Sequence, residues 1–283
     1  MKSILILGSS GLLGKELVLY LKKYFKIYHN GLNKRKLDLT KYNDLKKIFS
    51  KNFDVIINCI ALTNLENCEK NKIYCNKINF QITKRIFEIK NQYNLNFKYI
   101  FISTDQLYNS PKNSKETDKL SIFNSYSNFK RKAEKIALRN NGIVLRTNFF
   151  GKTRSKKSFT DWIYKKFKSK NKFYLFQDIY FSPVRIVTLC RVIKKIINKS
   201  PKNSEIFNIG TKKGLSKKDF AIFFAKKCGI YKKNYKINSF KKILKTKRSK
   251  YMTMNSFKFE KKYKFKFNTL NQEILHEVKN YKN

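Results

Sequence analysis

At 283 residues the chain is long enough to bury a large α/β core, and no apolar run approaches the ~18 residues of a membrane span, so membrane insertion is not expected. The formal charge is +47, yet only nine of the 65 basic residues are Arg, and the lysines are spread among abundant Asn, Ile, Phe and Tyr; a solvated lysine surface with no specific nucleic-acid partner is expected. Five cysteines form no C-x-x-C pair and only His29 and His276 are present, which points to free thiols in a reducing cytoplasm and to no metal site.

The first strand is expected over Ser3 to Leu7, where an apolar run ends in Gly8-Ser9-Ser10-Gly11-Leu12-Leu13-Gly14. Apolar residues at Leu12, Leu13, Leu17, Leu21 and Tyr24 then give helical periodicity over 12 to 24. Strand, glycine turn and helix in that order let the backbone approach a pyrophosphate and point free N–H groups at it. A P-loop fits less well: the glycine spacing differs, and Glu16 stands where a magnesium-binding hydroxyl is needed.

Further strands are predicted at Lys26 to His29, Val55 to Ile60, Lys98 to Ser103 and Ile143 to Arg146, with helices near 42 to 50, 76 to 93 and 125 to 140. This alternation predicts an α/β fold with a doubly wound parallel sheet over residues 1–150. Residues 151–283 read as a smaller lobe, with segments able to return to the main sheet. They hold a loop and helix before Asn171, strands at Phe173 to Phe176 and Ile206 to Ile209, a helix near 185 to 198, a helix N-capped by Ser216, and an amphipathic stretch at Leu270 to Val278.

Carboxylates are scarce, and several fall at strand ends: Asp38, Asp54, Asp105 and Asp178. Ligands of open α/β sheets bind at the carboxyl ends of strands, so Ser103-Thr104-Asp105 lies where a substrate is expected. Twenty-two residues after Thr104 comes Tyr126, followed at helical spacing by Lys130. A neighbouring ammonium favours phenolate and lowers a tyrosine pKa from near ~10, as a proton donor to a reduced carbonyl requires. The spacing recurs at Tyr42/Lys46, Tyr108/Lys112 and Tyr164/Lys168, but only Tyr126 follows a strand-end Ser-Thr-Asp and opens a helix leading to another strand.

Together these residues resemble the extended short-chain dehydrogenase/reductases, and among them the dTDP-4-dehydrorhamnose reductases and related sugar-nucleotide enzymes, over nearly the whole chain. The resemblance implies a Rossmann-type sheet with a C-terminal substrate lobe. It implies a cofactor site of Gly8, Ser10, Gly11, Leu12, Gly14, Asn30, Lys34, Arg35, Asp38, Leu39, Cys59, Ala61, Tyr126 and Lys130. It assigns Thr63, Ser103, Asp105, Asn148, Trp162, Asp178 and Ser182 to the substrate.

The implied reaction is hydride transfer from a nicotinamide to C4 of a nucleotide-linked 4-keto-6-deoxy sugar, in surface polysaccharide biosynthesis. Tyr126 gives the proton, Lys130 holds the ribose, Thr104 bonds the carbonyl oxygen, and Asn79 holds a water behind the lysine. No carboxylate ends the second strand, while Lys34 and Arg35 follow it, which favours NADP(H) over NAD(H). Gln106 stands where these reductases carry an aromatic residue, with Tyr108 nearby to take over packing. Two other readings are an epimerase or dehydratase that retains its cofactor, and a non-catalytic nucleotide-binding subunit; a homodimer is compatible with each.

Overall fold

The computed structural model describes residues 1–29, 37–154 and 157–282. Its main sheet is built from β1 (Ser3–Leu7), β2 (Lys26–His29), β3 (Val55–Asn58), β4 (Lys98–Ile102), β5 (Ile143–Thr147) and β6 (Glu205–Ile209) in the order β6-β5-β4-β3-β1-β2. The pairs β1–β2, β1–β3, β3–β4 and β4–β5 are parallel. The chain runs outward from β1 to β2 and then returns to the other side of β1 as β3. That reversal places a topological switch point between β1 and β3, where ligands of this fold class bind.

The strands are apolar because the sheet is covered. Leu5, Leu7, Ile56, Tyr99, Phe101 and Val144 pack with Ile82, Ile86 and Ile89 of a helix, and with Ala133 and Ala137 of another, in one buried cluster. The helices of this region are α1 (Leu12–Leu21), α2 (Tyr42–Ile48), α3 (Leu65–Lys70), α4 (Lys72–Asn76), α5 (Ile82–Gln92) and α6 (Ser125–Arg139). A π-helical turn at Lys77–Gln81 joins α4 to α5, so the helix expected over 76 to 93 has a phase break that apolar spacing does not reveal.

The chain divides into two compact units, each discontinuous. One holds Met1–Thr104, Phe123–Arg146 and Cys190–Phe207; the other holds Asp105–Ile122, Thr147–Leu189 and Asn208–Asn283. The division expected at residue 150 corresponds to just one of these crossings.

The second unit is built on aromatic packing. Phe150, Ile163, Phe167, Phe173, Leu175, Phe220 and Phe224 form its core, fed by the helices Phe159–Lys168, Lys217–Lys227 and Leu270–Lys282. Short ladders complete it: Phe173–Phe176 pairs with Tyr235–Asn238, and Tyr180–Phe181 pairs with both Leu215–Ser216 and Tyr251–Met252. The Ser216 hydroxyl accepts from the Asp219 N–H at 3.0 Å, the N-cap that its sequence position predicts.

Candidate active site

The glycine turn after β1 needs its glycines for two separate reasons. Gly8 has φ +78°, in the left-handed region, and a Cβ there would sit 2.9 Å from the backbone of Cys59 and Ile60. A Cβ on Gly14 would meet the Gly8 carbonyl oxygen at 2.2 Å, so the first turn of α1 is pressed onto the bend. Gly11 N-caps α1 with extended dihedrals, its N–H donating to the Gly8 carbonyl at 3.0 Å. No side chain caps this helix and its first turn carries no acid, the arrangement that receives an anion. Ser10 and Gly11 are exposed and Leu12 is half-buried at this end.

Across the switch point, β3 ends in Asn58 and runs into Cys59, Ile60, Ala61 and Leu62. Buried Asn58 donates to the Tyr99 hydroxyl at 2.7 Å and accepts from the Ile60 N–H at 2.9 Å, which fixes the turn of the chain beside Gly8. Asn79, 1% exposed in the π-turn, accepts from the Leu62 N–H at 3.0 Å and donates to the Leu62 carbonyl at 3.1 Å and the Cys75 sulfur at 3.2 Å. Its side chain therefore shapes the loop after β3.

Helix α6 starts at a capping box. The Asn124 side chain accepts from the Ser127 N–H at 2.9 Å, and the Asn124 N–H donates to the Ser127 hydroxyl at 3.4 Å. This pins the first turn, where Tyr126 lies 7% exposed in a cluster with Cys68 and Cys75, against which Ala61, Leu62 and Phe129 pack. One turn on, Lys130 is 1% exposed, and its Nζ donates to the Ile102 carbonyl at 2.5 Å and lies 4.0 Å from the Phe101 ring centroid. Thr104, 4% exposed, follows two residues after that carbonyl. Burial pushes the Lys130 ammonium down to about 7, against the opposing pull of Glu134 and Cys59. Burial likewise pushes the Cys59 thiol up to about 12, with Lys130 pulling it down.

These contacts form a chain of neighbours: glycine bend, Cys59–Ile60, the Ala61–Leu62 loop against Tyr126, and Lys130 between Cys59 and the end of β4. They draw Gly8, Gly14, Cys59, Ala61, Tyr126, Lys130 and Thr104 into one region. Its donor set fits a dinucleotide: close backbone approach, an uncapped helix start and a buried cation.

The other expected residues are placed as follows. Asp38 accepts from the Thr40 N–H at 3.0 Å and hydroxyl at 2.7 Å, a local turn whose hydrogen bonds hold its carboxyl below the usual range; Leu39 is buried beside it. Asn30, Lys34 and Arg35 lie outside the described residues. Ser103, expected at the substrate, is 5% exposed and donates to Glu134 at 2.6 Å. Thr63 is exposed on the loop after β3.

In the second unit, Asn148 donates to the buried Asp105 carboxylate at 2.8 Å, so these two expected substrate residues are adjacent. Asp178 instead accepts from the Ser239 hydroxyl at 2.6 Å and the Phe240 N–H at 3.1 Å, capping a short helix. Ser182 is 1% exposed and its hydroxyl accepts from the Met254 N–H at 3.0 Å. Trp162 is 38% exposed and, with Phe159, Lys166, Lys172, Phe173 and Lys217, lines a cavity of about 490 Å³. Burial lowers the Lys217 pKa there, with Asp105 opposing the shift. Tyr108 is fully buried and donates to Asn208 at 2.9 Å. Among the described residues no group of acidic, His and Cys side chains is arranged to hold a metal, and no helix is long and apolar enough to cross a membrane.

Several solved structures are similar over their full length. A dTDP-4-dehydrorhamnose reductase from Clostridium acetobutylicum aligns at 24% identity with a TM-score of 0.86, covering 98% of both chains. A hypothetical dTDP-4-dehydrorhamnose reductase from Sulfolobus tokodaii aligns at 27% identity with a TM-score of 0.82, covering 95% of this chain and 97% of that one. The Bacillus anthracis reductase, solved in complex with NADP, aligns at 20% identity with a TM-score of 0.87 over 99% of each chain. A curated dTDP-D-glucose 4,6-dehydratase from Dictyostelium discoideum is 29% identical over 152 residues, 46% of this chain and 35% of that protein. The family described as RmlD substrate binding domain matches residues 1–283, and the chain belongs to that family.

Proposed function

We propose that this protein is an NADPH-dependent reductase of a nucleotide-linked 4-keto-6-deoxy sugar, of the dTDP-4-dehydrorhamnose reductase type. The observation that carries the reading is the position of Lys130: its Nζ is bonded to the Ile102 carbonyl beside Thr104, its charge reaches Cys59 next to the glycine bend, and Tyr126 precedes it by one helical turn. The backbone of Gly8 to Gly14 and the start of α1 would hold the pyrophosphate, and Lys130 the nicotinamide ribose. Bound NADPH supplies the hydride.

The remaining chemistry belongs to the chain. Thr104 donates a hydrogen bond to the sugar carbonyl oxygen, stabilising the negative charge that develops on it. Tyr126 delivers its phenolic proton to the same oxygen, and the Lys130 ammonium stabilises the phenolate left behind. In the second unit, the aromatic floor of Phe159, Trp162 and Phe173 suits a nucleobase, and Lys166, Lys172 and Lys217 suit the phosphates attached to it.

Five cysteines, all free, accord with a cytoplasmic location, and light scattering of the purified protein tests for a homodimer. Following NADPH absorbance with a panel of nucleotide-linked 4-keto sugars tests the function: net oxidation of one NADPH per sugar supports a reductase. Conversion with no net cofactor change identifies an epimerase or dehydratase instead.

A further inference from the structure

The reaction just described does not use Glu134, yet this residue is the most completely engaged carboxylate of the first unit. It is fully buried on α6, and its Oε1 accepts from the Ser103 hydroxyl at 2.6 Å and from Arg146 Nε at 2.9 Å. Its Oε2 accepts from Arg146 Nη2 at 2.8 Å and from Arg131 Nη1 at 2.9 Å. Arg146 on β5 is itself 1% exposed, so this is a bidentate pair in the core with a second, half-buried guanidinium added.

Helical spacing puts Tyr126, Lys130 and Glu134 on one face of α6 as positions i, i+4 and i+8. Ser103, tied to Glu134, directly precedes Thr104. We infer that Glu134 is a positioning residue of the reduction site, holding the end of β4 against α6 and acting as the counter-charge to the Lys130 ammonium. This inference rests on the reductase reading for its kinetic consequence, although its electrostatic consequence is observable in cofactor binding alone.

The physical case has two parts. A buried carboxylate–guanidinium cluster as a whole is often matched in stability by apolar side chains of similar volume, so packing alone does not account for keeping the charges. Here its place one turn beyond Lys130 supplies negative potential where burial opposes positive charge. Among the described residues, the groups that act on Lys130 are Glu134 on its own helix, Cys59 after β3, and the Phe101 ring and Ile102 carbonyl on β4. Burial pushes the Glu134 carboxyl upward, but its bonds to Arg146, Ser103 and Arg131 outweigh that and hold it below the ordinary range, ionised wherever the enzyme works.

The test compares wild type with Glu134→Gln, Glu134→Asp and Arg131→Gln, measuring the NADPH dissociation constant and kcat across pH from about 6 to 10. Binding by wild type is expected to weaken as pH rises and Lys130 loses its proton. In Glu134→Gln that weakening sets in about one pH unit lower, so that binding is up to about tenfold poorer in the window between the two midpoints. Glu134→Asp keeps the charge and hence the midpoint, but misplaces Ser103 and Thr104 and loses kcat. Arg131→Gln removes a half-buried cation and moves the midpoint upward.

A uniform loss at every pH in both Glu134 variants, with an unmoved midpoint, overturns the inference and leaves Glu134 a packing residue. If Glu134→Gln does not fold, Arg131→Gln decides: a stationary midpoint again overturns it. Should wild type bind NADPH with the expected pH shifts among the variants but reduce no 4-keto sugar, the reductase reading fails and the role of Glu134 toward Lys130 stands.

Discussion

Replacing Gly14 with Ala probes the cofactor cradle with a single methyl group. The added Cβ would lie 2.2 Å from the Gly8 carbonyl oxygen, 2.7 Å from Ser9 Cα and 2.8 Å from the Gly8 carbonyl carbon, all backbone atoms. Restoring ordinary contact requires α1 and the bend to separate by roughly 1 Å in a region packed like the rest of a protein interior. Overpacking of this kind costs ~1–3 kcal/mol, partly offset by the ~1 kcal/mol that Ala gains over Gly in a helix. The net destabilisation is therefore modest, at ~0–2 kcal/mol. The displaced amides are those proposed to receive the pyrophosphate, so NADPH binding should weaken by at least about tenfold (~1.4 kcal/mol).

Two other glycines give the comparison. Gly11→Ala meets the Gly8 oxygen at 3.2 Å and should be milder on both counts, whereas Gly229, at φ +72° with nothing within 4 Å, should lose ~1–2 kcal/mol of stability and no cofactor affinity. Isothermal titration with NADPH and thermal unfolding read both effects. Equal affinities for the Gly14 and Gly11 variants would refute the argument that the bend holds the cofactor.

Lys130→Met should stabilise the cofactor-free protein near neutral pH. The folded-state pKa of Lys130, about 7, lies below the ~10.4 of an unfolded lysine. The unfolded chain therefore binds the extra proton between these values, and wild-type stability rises with pH across that window, its full contribution present above ~10.4 and lost as pH falls through 7. The Met variant lacks this dependence, so its advantage, on the order of a few kcal/mol at pH 7, should shrink toward pH 10 in parallel chemical denaturations; a difference independent of pH contradicts the buried ammonium. Trp162 is the chain's single tryptophan, and its fluorescence should change on adding a nucleoside diphosphate sugar. Trp162→Ala should raise the sugar-nucleotide KM severalfold with NADPH binding unaltered, and an unaltered KM would remove the nucleobase from that cavity.

The sheet was legible because each strand is an apolar run bounded by turn residues, and the glycine bend because three glycines follow β1 directly. The Tyr126–Lys130 face was likewise legible from its helical spacing. Glu134 does not stand out in the sequence, although Tyr126, Lys130 and Glu134 are spaced at four-residue intervals and Arg146 follows on the next strand. In a lysine-rich helix a lone Glu looks like an ordinary surface partner, and only its burial reveals otherwise.

The local hydrogen bonds of the strand-end carboxylates were not legible in the sequence: Asp178 caps the helix after Ser239, and Asp38 closes its own turn with Thr40. Helices α3 and α4 are short and weakly periodic, but each carries a local signal. Asn64 and Asn71 each accept from the N–H three residues on, at 3.0 and 2.8 Å, as helix N-caps do. The π-turn around Asn79 has no such signal, since its apolar residues continue a helical spacing on either side.

Turnover by wild type and Tyr126→Phe, followed as NADPH oxidation with a dTDP-linked 4-keto-6-deoxyhexose, bears on the whole mechanism at once. Wild type should consume NADPH, and the Phe variant, which keeps the ring among Cys68, Cys75 and Leu62 but lacks the proton, should bind NADPH normally and turn over ~100-fold or more slowly. Equal turnover by the two proteins would contradict the assignment of Tyr126 as proton donor.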